Sequence, residues 1–435
     1  MIVLNGRYVN SRNTMQSSQK NIVQRQDISY QGEIIHLSNI IKLFYLIESG
    51  LKYGGWKTYS SHLKLSLGDR AELYAISVSG KSEKTMRDFG NGLQYRNVST
   101  EEALAMDGPK IVVASPRMGG RQDDFAKEAY AKLVDQGAYV TIHDPQEIRY
   151  NERVAEEHID IPEKQMILIS KYNLKWAPRA TYIPHPYVRP EFTHLTAWNA
   201  RVYQAASVAR MDHDKNTVWM WEANRHLSPK NQIYIRGKET RTYTNKWLKK
   251  YPEYTQDNDR PKNYELQPIE KQQESKAHFP LEIYWSRNIL SKAKFGCDFS
   301  AIYESVRDNV FSPKGTKTII DGGRGQYTFY EAWDAGAIPL LNKDWILYDE
   351  PDCNEMIDAG ADQNCFTVEG EHCKKSDALV DFLSREYKVD DIKHIQENGI
   401  KVLETLHNPE SVAKQYLELF HLKHELDNNW MDDLI

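Results

Sequence analysis

Cysteine is scarce, with four in 435 residues at positions 297, 353, 365 and 373. So few cannot staple a chain of this size, and a disulfide-dependent scaffold is excluded. No Cys-x2-Cys pair occurs, and His372 beside Cys373 does not complete a zinc spacing, so no metal is expected. Long apolar runs are missing as well: none approaches the roughly 18 residues that span a bilayer. The opening MIVLNGRYVNSRN turns polar after four residues, where a secretory signal continues hydrophobic. A soluble, cytoplasmic protein is the expectation. Nor is there an excess of one charge. Lys and Arg number 56 against 61 Asp and Glu, a net charge of −5, which excludes a protein that coats nucleic acid by bulk charge.

What is present is material for cores. Apolar residues make up 40% and aromatics 11% of the chain, including 10 Trp and 26 Tyr. That composition excludes disorder throughout, and the length predicts two domains. Strand-like runs at Leu73–Val78, Lys110–Ser115 and Ala138–His143 alternate with helical patterns at Ile34–Gly50 and Asp124–Gln136, the second stopped by Gly137. Such alternation predicts βαβ units and a mainly parallel sheet. The proline-dense Tyr182–Phe192 reads as a linker, and the pattern restarts beyond it. A strand is expected at Val202–Val208, a helix near Asn216–Arg225, a strand at Gln232–Arg236 and a basic helix to about Lys250. A polar insertion follows at 251–277, read as a loop, then a strand at Leu281–Trp285, a helix to about Lys292 and amphipathic helices from Asp377 onward. The expected domains are 1–190 and 191–409, with a C-terminal helix at 410–435 packing back on the first. The fold class is α/β, two Rossmann-like αβα domains facing each other across a cleft where ligands bind.

Three segments at strand ends carry candidate chemistry. Arg210 and Lys215 in VARMDHDK are two permanent cations able to clamp a diphosphate. In DGGRGQYTFYE, the loop Asp321, Gly322, Gly323, Arg324, Gly325 runs into a helix N-terminus, a cradle for phosphate oxygens, with Tyr327 and Thr328 in the first turn. Glu331 lies one turn further in and reaches a sugar hydroxyl. His143 and Asp144 close a strand of the first half, an imidazole and a carboxylate suited to orienting or deprotonating a hydroxyl.

The string YTFYEAWDAGAIPLL resembles the nucleotide-sugar signature of retaining GT-B glycosyltransferases. The likeness implies that Glu331 binds the donor ribose and that Arg210 and Lys215 bind the donor diphosphate. Within the class, Tyr327, Thr328, Glu331, Gly336, Ile338 and Pro339 resemble the pattern of the T-even phage DNA α-glucosyltransferases. So do His143 and Asp144 followed by Arg149 and Arg153. The pattern departs at one point: where the family carries a second acid, this chain has Gly323, with Asp321 the nearest upstream acid. The resemblance implies a UDP-sugar co-substrate with no permanently bound cofactor, and a double-stranded DNA acceptor bearing 5-hydroxymethylcytosine. It implies a monomer acting in the cytoplasm of an infected bacterial cell.

Duplex binding has physical support in a basic stretch that includes Arg236, Lys238, Arg241 and Lys246, interleaved with Tyr243 and Trp247. Modifying a base within a duplex requires flipping it out. The leading expectation is a retaining transferase of a sugar, glucose or arabinose, to hydroxymethylated DNA. The alternatives are a GT-B enzyme for a polysaccharide, lipid or protein acceptor, and a non-catalytic nucleotide-sugar or DNA-binding protein.

Overall fold

The structure is a computed structural model. The described residues are 40–45, 55–77, 80–90, 92–114, 121–143, 161–190, 195–209, 215–237, 264–265, 283–300, 326–346, 357–368 and 376–432. All belong to one unit, Ser38–Ile435.

Two sheets organise it. The first is built from β1 (Ile41–Tyr45), β2 (Ala71–Ile76), β3 (Arg87–Gly90), β4 (Leu93–Val98), β5 (Lys110–Ala114), β6 (Tyr139–Ile142), β7 (Met166–Leu168) and β8 (Thr181–Tyr182). Its spatial order is β3-β4-β2-β1-β5-β6-β7-β8, parallel except for the β3/β4 pair. The second contains β9 (Tyr203–Val208), β10 (Ile233–Arg236), β11 (Tyr264–Glu265), β12 (Ala293–Asp298), β13 (Ile338–Asn342) and β14 (Phe366–Val368), in the order β11-β10-β9-β12-β13-β14. Every pair in it is parallel. Each sheet winds outward from one central strand and then reverses, between β1 and β5 in the first and between β9 and β12 in the second. In open α/β sheets the carboxyl ends at such a reversal are where ligands bind.

Helices cover both faces. Helices α1 (Gly55–Leu67), α2 (Thr100–Ala105) and α3 (Arg121–Asp135) belong to the first sheet, and α4 (Thr217–His226), α5 (Trp285–Leu290) and α6 (Tyr327–Asp334) to the second. The chain ends in α7 (Asp377–Ser384), α8 (Val389–Thr405) and α9 (Pro409–Asp432). Alternation along β1 sends Ile41, Leu43 and Tyr45 into the core beneath α1 and α9, and Phe44 into the core beneath α2 and α3. Helices α3 and α6 stop on glycines in the left-handed region, Gly137 at φ 84° and Gly336 at φ 68°. In each the next amide reaches back five residues, Ala138 to Leu133 and Ala337 to Ala332, satisfying carbonyls at the helix end. Among the described residues no helix is long and apolar enough to cross a membrane.

Several elements differ from the sequence reading. Ile41–Tyr45, expected inside a helix at 34–50, is the central strand β1. All five of its residues are buried, so its apolar run carries no period to separate strand from helix. The strand expected at Leu281–Trp285 is replaced by a turn at 283–284 leading into α5. The true central strand is β12, AKFGCD, whose Lys294 and Gly296 hid it. Within the insertion at 251–277, Tyr264 and Glu265 pair with β10 as an edge strand rather than a loop. The proline-rich linker is no exposed tether, because Ile183 to Tyr187 are all buried. There Pro184 and Pro186 need no amide partner, while Tyr187 N–H donates to the His407 carbonyl at 2.9 Å.

Candidate active site

The carboxyl ends of β9 and β12 flank the reversal in the second sheet, and polar side chains converge there. Asp298 ends β12 and is 3% exposed. Its Oδ1 accepts from the Ser300 amide at 3.0 Å and from the Ser300 hydroxyl, and its Oδ2 accepts from the Thr328 hydroxyl at 3.0 Å. Lys215 is buried just ahead of α4 and donates from Nζ to Ser300 Oγ at 2.8 Å and to Gln326 Oε1 at 3.5 Å. The turn that delivers it is held by Asn216, left-handed at φ 49°, a conformation asparagine tolerates. The Asn216 side-chain amide donates to the Phe299 carbonyl at 2.6 Å, fastening the start of α4 to the end of β12.

Helix α6 brings in two acids one turn apart. Glu331 is buried, and desolvation, countered in part by a hydrogen bond from Ser286 and the charge of Arg287, pushes its carboxyl up to about 8. Asp334 is fully buried but surrounded by donors. Arg189 Nε reaches its Oδ1 at 2.8 Å, while Arg287 Nε and the Tyr187 hydroxyl, at 3.3 Å, reach Oδ2. Linker, α5 and α6 thus meet at one carboxylate, and Arg189 ties α8 to them through Glu404 at 3.2 Å.

On the first sheet, His143 follows β6 and is buried, donating from Nε2 to the Val113 carbonyl at 2.8 Å. It lies edge-on to Tyr59, ring centres 4.8 Å apart, and 6.3 Å from His185 of the linker. His185 in turn lies 5.0 Å from Tyr327 and shares a hydrogen bond with Tyr330 at 3.1 Å. Tyr327 stacks on His62 at 4.9 Å and donates to the Pro186 carbonyl at 3.1 Å, so its hydroxyl faces the linker. Burial holds His62 down to about 3 and His407 to about 4, and together with neighbouring histidines keeps His185 well below its usual range. The Val188 amide donates to His62 Nδ1 at 3.0 Å, which requires that atom unprotonated.

The structure thus gathers Lys215, Asp298, Ser300 and Thr328 at one edge, sets Glu331 one turn further along α6 beside Ser286 and Arg287, and links His143 to that helix through a chain of rings. Arg236 ends β10, donating to the Tyr234 hydroxyl at 3.3 Å with its guanidinium 6.0 Å from the Trp285 ring. Asp144, Arg149, Arg153, Arg210, Asp321, Gly322, Gly323, Arg324, Gly325, Lys238, Arg241 and Lys246 lie outside the described residues. Sequence reasoning missed Asp298, Ser300, Asp334 and Arg287. The first ends, and the second follows, a strand that the pattern hid; the acid three residues after Glu331 was a visible signal for the third.

No protein-family model and no curated protein sequence matches the chain. Solved structures do. An α-glucosyltransferase in complex with UDP-glucose and DNA containing an abasic site superposes with a TM-score of 0.53 at 13% identity, covering 87% of this chain and 98% of that one. This chain has the GT-B fold. HepE from Anabaena in complex with UDP-glucose gives 0.52 at 11% identity over 87% and 98%. An α-glucosyltransferase with UDP and a 13-mer DNA containing an HMU base gives 0.52 at 12% over 88% and 100%. In this GT-B chain the polar edge of the second sheet and the ring-lined edge of the first are joined through the buried linker.

Proposed function

We propose that the protein is a retaining glycosyltransferase that moves a sugar, glucose or arabinose, from a UDP-sugar to the hydroxymethyl group of 5-hydroxymethylcytosine in double-stranded DNA. One observation carries the reading. A buried lysine and a hydroxyl-bound aspartate converge where the second sheet reverses its winding, the position at which α/β sheets hold nucleotides, and a buried glutamate lies one turn along the helix that supplies the hydroxyl. Fold neighbours that hold UDP-glucose, one of them with DNA, support the donor and the acceptor respectively.

In this reading the second sheet serves the donor and the first serves the acceptor. Lys215, with Arg210, balances the charge that grows on the departing diphosphate, which lowers the barrier more than it tightens ground-state binding. Glu331 meets a hydroxyl of the donor; burial keeps its carboxyl protonated at neutral pH, so it donates as well as accepts. His143 donates from Nε2 to the Val113 carbonyl, which fixes its ring at the end of β6. His143 or Asp144 orients or deprotonates the acceptor hydroxyl, whose oxygen attacks the sugar carbon from the face the leaving group vacates as the bond from that carbon to the diphosphate breaks and UDP departs.

The test is direct. The protein is incubated with hydroxymethylcytosine DNA and a panel of nucleotide sugars, the DNA is digested, and the nucleosides are weighed. A mass gain of one sugar on one nucleoside is expected. No gain on any nucleoside, with sugar appearing instead on a polysaccharide, lipid or protein, would reject the DNA acceptor while leaving the transferase standing. UDP binding without donor turnover would reject the enzyme.

A further inference from the structure

Asp298 has no place in the sequence reading, yet it is the acceptor on which the donor edge is assembled. Three donors end on its carboxylate: the Ser300 amide, the Ser300 hydroxyl and the Thr328 hydroxyl. A serine hydroxyl has one proton. With that proton given to Asp298, Ser300 Oγ turns lone pairs outward, and Lys215 Nζ donates into one of them at 2.8 Å. The direction of every bond in the chain Lys215 to Ser300 to Asp298 is therefore set by the carboxylate. Thr328 is fixed in the same way, and it lies in the first turn of α6, three residues before Glu331. Both bonds end on a carboxylate at the carboxyl edge of a central strand, a rigid mount for a site.

We infer that Asp298 is a positioning residue of the donor site: through Ser300 it aims the Lys215 ammonium, and through Thr328 it fixes the start of α6, for the diphosphate of a bound nucleoside diphosphate. The inference rests on the UDP-sugar reading above. Its anionic charge also offsets that of Lys215 inside a buried site, where an ammonium without a nearby anion is costly. A carboxamide at 298 keeps the shape but can accept at only one of its two positions. It then either releases Ser300, freeing its proton to point at Lys215, or releases Thr328.

The experiment titrates UDP and uridine, which share the base and ribose and differ by the diphosphate, into the full chain by calorimetry. The variants are D298N, S300A and the double variant. D298N is expected to weaken UDP binding by about tenfold, the loss of one charge-assisted hydrogen bond, with uridine affinity unchanged. S300A weakens UDP in the same direction, and the double variant is no weaker than D298N alone, because both changes cut one chain of contacts. UDP affinity unchanged in D298N overturns the inference, as does loss of uridine in step with UDP, which marks general damage to the fold. Losses that multiply in the double variant also overturn it. If D298N fails to fold, S300A decides alone, since it removes one oxygen: weaker UDP with unchanged uridine supports the inference and unchanged UDP rejects it. A wild-type protein that binds no UDP rejects the functional reading and this inference with it.

Discussion

The two sheets share a winding, but their carboxyl edges are built from opposite materials. At the second, charged and hydroxyl groups hold one another in place: Lys215 on Ser300, Ser300 and Thr328 on Asp298. At the first, His143 is packed among rings, and the neighbouring His62, His185 and His407 are kept neutral by burial. Under the proposed function the difference suits two tasks: a diphosphate leaving group needs fixed charge aimed at it, whereas a hydroxyl acceptor needs a site that excludes water. Between them the linker carries both kinds of contact, rings on one side and the Arg189–Asp334 pair on the other.

The largest effect expected from breaking this arrangement is at Asp334. Asp334→Asn leaves the buried Arg287 with no anion at its Nε, and a loss of about 3–5 kcal/mol in unfolding free energy is expected from denaturant titration. A loss under 1 kcal/mol would mean that the linker is held by its rings alone.

Acid and alkali then probe the two edges separately. His62 and His407 are depressed from 6.5 to about 3 and about 4, so as pH falls below 6.5 the unfolded chain takes up protons first. Stability is expected to drop by about 1 kcal/mol per pH unit for each such histidine, and His62→Gln to flatten that slope between pH 6.5 and 4. Glu331 has the reverse sign. Its carboxyl is raised from 4.5 to about 8, so between those values the unfolded chain is the more ionised and stability falls as pH rises. Glu331→Gln is expected to remove about 1 kcal/mol per pH unit of that decline while weakening donor binding. Urea unfolding at several pH values checks both, and slopes that both variants leave unchanged would contradict the burial argument.

The smallest effect is expected where the C-terminal helix meets α1. Tyr59 and Tyr416 share a buried hydroxyl pair, ring-lined like the rest of that side. Tyr416→Phe is expected to cost about 1 kcal/mol with UDP affinity unchanged, measured by thermal unfolding and calorimetry. A change in UDP affinity would show that the two edges are energetically coupled rather than merely adjacent.

Legibility in the sequence followed periodicity. Helices α3 and α4 and strands β2, β5, β6, β9 and β10 were readable because their patterns and glycine stops are local. Helix α6 with Glu331 was readable because its spacing resembles a known signature. The central strands β1 and β12 were not. One is buried on both faces, Lys42 included, and the other carries Lys294 and Gly296, so neither shows an alternation. Asp298 and Ser300 went unread with β12, since a residue at a strand end has meaning only once the strand is known.

The sequence by itself determined the α/β class, the alternation of elements and the residue types suited to a phosphorylated ligand, because these depend on neighbours within a few positions. The tertiary structure alone decided that a proline-rich tether is buried, that Asp334 rather than Glu331 receives the arginines, and that Asp298 organises the lysine. Those outcomes depend on which groups are brought together from distant parts of the chain, 145 residues apart for Arg189 and Asp334 and 85 for Lys215 and Ser300. Burial sets their worth, since removing water is what makes a missing partner costly.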